Sequence, residues 1–186
     1  KGPTPNDHVD MLKMKLENLI AGADWASEIS LIDHQSTKQK SLRLRIPGRT
    51  KPQEIVVLGG HLDSITQQGT ISPGADDNAS GVAGLIELAH LLGKQQLPLR
   101  VELVAFTLEE PPYFRTAQMG SAIHAASLRK QGVDVRTMIS LEMIGYFSDE
   151  PESQKFPAAF LGAFYPSRGN FISVVGTLGE GLLVRR

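Results

Sequence analysis

Between Gln53 and Glu142 the chain alternates apolar runs of strand length with longer apolar stretches of helix length, and this alternation constrains the fold most. The runs are Gln53–Gly59, Leu99–Leu108 and Val135–Leu141, and between them lie Ala79–Leu92 and a segment from about Ala117 to Gln131. Short apolar runs bounded by Gly or Pro predict buried strands. Gly132 stands where a helix C-terminus places glycine. A β-α-β-α-β order predicts parallel strands with helices on the sheet faces. The expected class is α/β, three-layered, with a mostly parallel (mixed) central sheet covered by helices on both faces.

Upstream, Asn6 or Asp7 is expected to cap a helix running to about Ala21, with Val9, Leu12, Leu16, Leu19 and Ile20 along one face. Two short strands follow, Glu28–Asp33 and Ser41–Ile46. In the second, Leu42, Leu44 and Ile46 alternate with Arg43 and Arg45, which places the arginines in water. Gly59-Gly60 is expected to end the strand that begins at Gln53. Beyond Tyr146 the pattern loosens, and Phe171–Gly176 is a last strand candidate. At 186 residues the chain is expected to be one domain, 1–186.

The formal net charge of −1, with Lys and Arg scattered, gives no footprint for nucleic acid and no polybasic membrane patch. No apolar run approaches the roughly 20 residues that a membrane helix needs. The start at Lys1 rather than Met fits a removed leader, so the lean is towards an exported protein, periplasmic or secreted. With no cysteine in the chain, any metal must be held by His and carboxylate.

The chemistry sits where strands end. Successive ends present His61 with Asp63, then Glu109 with Glu110, then Glu142, while Asp77 comes from the start of the helix after His61. In a parallel sheet these ends share one rim, the usual ligand position. Carboxylates crowded there repel, and divalent cations are the simplest remedy. Imidazole and carboxylate without thiolate suit zinc, manganese or cobalt. Two cations sharing a carboxylate, roughly 3.5–4 Å apart, acidify a water whose proton a carboxylate outside the ligand set must take. Glu109 and Glu110 can divide those tasks. A plainer reading stands beside each: Asp76 or Asp77 as a helix cap, Glu142 paired with a Lys or Arg, and His90 and His124 as structural histidines.

The stretches GGHLDS, SPGADDNASG, LEEPPYF with the following MGS, and SLEMIGY together resemble the co-catalytic zinc aminopeptidases. That group includes aminopeptidase Y, bacterial leucyl aminopeptidase, glutamate carboxypeptidase and glutaminyl cyclase. The four motifs stand in order over Gln53 to about Asp149, roughly half the chain. The resemblance implies that His61 and Glu142 ligate one zinc, that Asp77 bridges to a second held by Glu110, and that Asp63 orients His61. It makes Glu109 the general base, puts Met143 in the pocket for the first substrate side chain, and implies a cis peptide at Asp76-Asp77 or its neighbour. It also implies a zinc-exopeptidase-like fold. Two departures stand out. Many relatives carry Asp at the place of Glu142, and the family's last ligand, a histidine from a later SDHxPF-like segment, has no match here. The chain thus resembles a catalytic domain incomplete at its C-terminus. The site of His61, Asp77 and Glu142 would be complete, and the second zinc site weak or empty.

The implied activity is a metal-dependent exopeptidase that hydrolyses the N-terminal bond of peptides with a free amino end, through a metal-bridged water with Glu109 as base. Two readings compete with it: a single-zinc acyltransferase of the glutaminyl cyclase kind, and a non-catalytic module that keeps the fold. Oligomeric state is not written in the sequence.

Overall fold

A computed structural model of the protein describes residues 4–21, 28–34, 36–67, 70–156, 158–177 and 179. They fall into two units, Lys1–Met143 and Ile144–Arg186.

In the first unit, helix α1 (Pro5–Ile20) is followed by strands β1 (Glu28–His34), β2 (Gln39–Ile46) and β3 (Lys51–His61), and a small ribbon of β4 (Thr66–Gln67) and β5 (Thr70–Ile71). Helix α2 (Ala79–Leu92), β6 (Leu99–Phe106), α3 (Gly120–Lys130) and β7 (Asp134–Ser140) complete it. The main sheet has the order β1-β2-β6-β3-β7. Strands β6, β3 and β7 run parallel, while β2 is antiparallel to both β1 and β6. The chain leaves β3 through α2 to its neighbour β6, then returns through α3 to β7 on the other side of β3. The expected mixed α/β sheet is therefore present.

Side-chain alternation on the strands builds a core on each face. On one side, Val101, Leu103 and Ala105 of β6 and Leu42, Leu44 and Ile46 of β2 meet Val9, Leu12 and Leu16 of α1 and Val82, Leu85 and Ala89 of α2. On the other, Ile55 and Val57 of β3 and Val104 and Phe106 of β6 meet Leu128 of α3. Burying each such aliphatic or aromatic side chain is worth about 1.5–3 kcal/mol, so both faces hold the strand ends in place.

Four local expectations need correction. Helix α1 is capped by Thr4, not Asn6 or Asp7; Pro5 fills the first helical position, and Asp7 completes a reciprocal capping box with Thr4. The strand does not end at Gly59-Gly60 but runs on to His61. A Cβ on Gly59 would lie 2.4 Å from the Phe106 ring, so the glycine admits an aromatic neighbour rather than a turn. Arg43 and Arg45 are largely covered, with side chains 16% and 26% exposed, because they converge on Glu102, which is fully buried. The α3 helix begins at Gly120 rather than Ala117, since the preceding residues form turns.

The Glu102 cluster lies on the α3 side of the sheet. Arg45 Nε donates to Glu102 Oε1 at 3.1 Å, and His124 Nε2 lies 3.0 Å from Oε2. Arg100 Nε and Arg43 Nη1 stand at 3.6 and 4.0 Å. Burial alone would raise the Glu102 pKa; the His124 bond and the two arginines of β2 outweigh it and bring it from 4.5 to about 2.

In the second unit, Ser148 and Gln154 N–H donate to the carbonyls of Gly169 and Ser167, each at 2.9 Å. Its described residues include one 3-10 turn, Ala159–Ala163. Phe171–Gly176 forms no strand there.

Candidate metal and catalytic site

Because β3, β6 and β7 are parallel, their C-terminal ends deliver His61, the Glu109-Glu110 pair and Glu142 to one rim, where the N-terminus of α2 adds Asp77. The His61 ring is 8% exposed. Its Nδ1 lies 2.8 Å from the backbone carbonyl of Asp63. A carbonyl only accepts, so Nδ1 carries a proton, and Nε2 is the nitrogen left to offer a lone pair whenever the ring is neutral. Nε2 faces Asp77 Oδ1 at 3.0 Å and Glu142 Oε1 at 3.2 Å. Two carboxylate oxygens crowded on one ring nitrogen call for positive charge between them, supplied by a bound cation or by a proton on the ring.

Ligand atoms from His61, Asp77 and Glu142 all lie within 4.8 Å of one another. Asp77 Oδ1 is buried with no hydrogen-bond partner. Both facts fit a divalent metal, and imidazole with two carboxylates is a donor set suited to zinc. Burial opposes a charge on His61, but Glu142 and the Asp63 carbonyl outweigh it and raise the ring's pKa.

Glu110 Oε1 lies 3.9 Å from His61 Nε2, and burial, then the Asp77 charge, raises its pKa. Glu110 thus stands beside the His61, Asp77 and Glu142 group and within the field of Asp77. Glu109 turns the other way. Its Oε1 accepts from the Ser121 backbone N–H and its Oε2 from the Ser121 hydroxyl, both at 2.7 Å. Burial raises the Glu109 pKa despite these bonds. Leu108, just before the pair, has a φ of 64°, a conformation rare for leucine that marks a constrained corner.

The structure thus brings His61, Asp77, Glu110 and Glu142 together, with Glu109 beside them. Asp63 reaches the ring through its main chain. Its carboxylate Oδ1 is 3.8 Å from Nδ1, while Oδ2 accepts the Glu110 N–H at 3.0 Å. The cis bond is Asp77-Asn78, the neighbour of the Asp pair. Met143 is 55% exposed and does not line the cleft. The cleft, about 410 Å³, is walled instead by Phe106, Phe114, Met119 and Met138 opposite the carboxylates.

Two residues escaped the sequence reading. Asn78, 2% exposed, caps α2 through Gly81 N–H at 3.2 Å, a role neither Asp76 nor Asp77 takes. Its Nδ2 donates to Leu141 O at 2.9 Å, and its Oδ1 accepts the Met143 N–H at 3.2 Å, so it ties the Glu142 loop to α2. The other is Ser121, known only as the last letter of MGS. An Asn opening a helix and a Ser one residue into the next were the available signals.

The sequence profile of peptidase family M28 matches residues 42–163. The chain belongs to that family. Within it, the chain is 50% identical over 136 residues to the protein named "Uncharacterized protein YfbL" of Escherichia coli (strain K12), covering 71% of this chain and 41% of that protein. It is 33% identical over 135 residues to the Saccharomyces cerevisiae protein named "Probable aminopeptidase YDR415C", covering 68% and 34%. The chain thus spans less than half the length of either relative.

Among solved structures, LapB from Legionella pneumophila superposes with a TM-score of 0.67 at 24% identity, over 82% of this chain and 40% of that one. A glutaminyl cyclase from an Acidobacteriales bacterium superposes with a TM-score of 0.59 at 19% identity, over 84% and 56%. Both likenesses are of fold.

Proposed function

We propose that this chain supplies the cation-binding rim of a metal-dependent exopeptidase that removes residues from the amino end of peptides. The observation that carries the reading is the convergence of His61 Nε2 with the Asp77 and Glu142 oxygens, at 3.0 and 3.2 Å. Family membership supports it. His61, Asp77 and Glu142 would hold one zinc ion, and Asp77 with Glu110 would contribute to a second, more weakly held. Bound there, zinc supplies Lewis acidity.

The protein's own groups account for the rest. Glu109, buried and outside the ligand set, takes the proton of the attacking water and returns it to the departing nitrogen as the C–N bond breaks. No Lys or Arg lines the cleft among the described residues, so its carboxylates favour a substrate with a cationic amino end, and its Phe and Met wall suits an apolar first side chain. In the intact natural protein, chelation is expected to abolish hydrolysis of an aminoacyl anilide. Glu109→Gln is expected to lower kcat by about 10²–10⁴-fold with metal still bound. Near-normal turnover in that variant would remove the assigned base.

The likeness of fold to a glutaminyl cyclase and the one three-residue ligand cluster among the described residues favour one alternative, cyclisation of N-terminal Gln at one zinc. Ammonia released from a Gln-peptide with no free amino acid would identify it.

A further inference from the structure

The two adjacent glutamates of the rim diverge. Glu110 points towards His61, at 3.9 Å, whereas both oxygens of Glu109 are taken by a single residue across the loop, Ser121. Ser121 is the second residue of α3, whose own cap position, Met119, offers no side-chain hydrogen bond. Its seat is rigid. The N–H of Gly120 donates to Thr107 O at 2.9 Å, and a Cβ on Gly120 would meet Ser41 Oγ and Thr107 O, each at 2.6 Å. Three residues on, His124 fastens the same helix to buried Glu102.

We propose that Ser121 is a positioning residue for the base: its N–H and hydroxyl grip the two carboxylate oxygens and fix the plane in which Glu109 exchanges its proton. The inference rests on the peptidase reading of Glu109. Two donors from one residue, one on each oxygen, stop the carboxylate from rotating about its last bond. Proton transfer demands that alignment, because a poorly aimed lone pair loses most of the benefit of proximity. A plainer role exists, in which Glu109 merely caps α3. The roles separate cleanly, since the backbone N–H bond that serves the cap survives removal of the hydroxyl.

The test uses the intact, metal-loaded protein and the variants Ser121→Ala and Ser121→Thr. Loss of the hydroxyl is expected to lower kcat roughly 10–100-fold, the usual effect of deleting a partner that orients a functional group. KM, bound metal per chain and melting temperature should stay near wild type. Threonine, which keeps the hydroxyl, should restore most of the turnover. Wild-type kcat in Ser121→Ala, or a fall in melting temperature with kcat unchanged, would overturn the inference and leave Glu109 as a cap. Wild type and Glu109→Gln run alongside separate the failures: if wild type does not hydrolyse the anilide, the peptidase reading fails; if Glu109→Gln is as active as wild type, Glu109 is not the base; if it is dead while Ser121→Ala is normal, only the positioning role fails.

Discussion

Replacing Glu102 with Gln isolates the charge at the centre of the buried cluster. Gln matches protonated Glu in size and polarity, so the stability gap between wild type and variant reads what ionisation of Glu102 contributes. Its folded pKa of about 2 lies below the ordinary 4.5, so the contribution is complete above the unfolded value and is lost as pH falls through the folded one. At 1.36 kcal/mol per pH unit, that separation is worth about 3 kcal/mol at pH 7. The same linkage leaves about 1 kcal/mol at pH 3 and nothing below pH 2. Urea unfolding of the intact protein, with a slope of about 1–3 kcal/mol per M, would show the gap as a midpoint displaced by about 1–3 M at neutral pH. The loss has a clear origin: Arg45 and His124 both donate to Glu102, and Gln offers one acceptor where two are needed. A gap below about 1 kcal/mol at pH 7, or one unchanged between pH 7 and pH 3, would refute the account of this cluster.

Gly120→Ala should cost about 1–3 kcal/mol, because the new methyl meets the Thr107 carbonyl and the Ser41 hydroxyl at 2.6 Å and the backbone cannot yield easily. Denaturant melts would register it, and an unchanged midpoint would mean that the seat of α3 is loose. Asn78→Ala should cost about 2–3 kcal/mol, since it strands the Leu141 carbonyl and the Gly81 and Met143 N–H groups. The same change should weaken metal binding about 10–100-fold, read by metal titration, because Glu142 loses its tether.

The sheet was legible because its signal is local and repeated. Helix α2 runs over Ala79–Leu92 as read, and β7 differs from the reading by one residue at each end. The rim was legible for the same reason: parallel strands force their ends together, so His61, Asp77, Glu110 and Glu142 meet although 81 residues separate the first from the last. What the sequence hid depends on partners distant along the chain. Arg43 and Arg45 follow an alternation that usually means solvent, but a glutamate on the adjacent strand turns them inward. The resemblance assigns Asp63 to the histidine, yet its main chain does that work while its carboxylate reaches the Glu110 N–H. Asn78 and Ser121 have partners 63 and 12 positions away, and no periodicity encodes such pairs. Phe171–Gly176 has the composition of a strand but no ladder among the described residues to join.

Helix α3 buries just Gly120, His124 and Leu128 fully, a straight stripe with a single large hydrocarbon in it. An oily interface tolerates a few degrees of roll at little cost, because dispersion and burial have no preferred direction. This mounting is directional at Gly120, Ser121 and His124, so a roll breaks several bonds at once. The tolerance to which the rim is machined is therefore set by hydrogen-bond angles along α3.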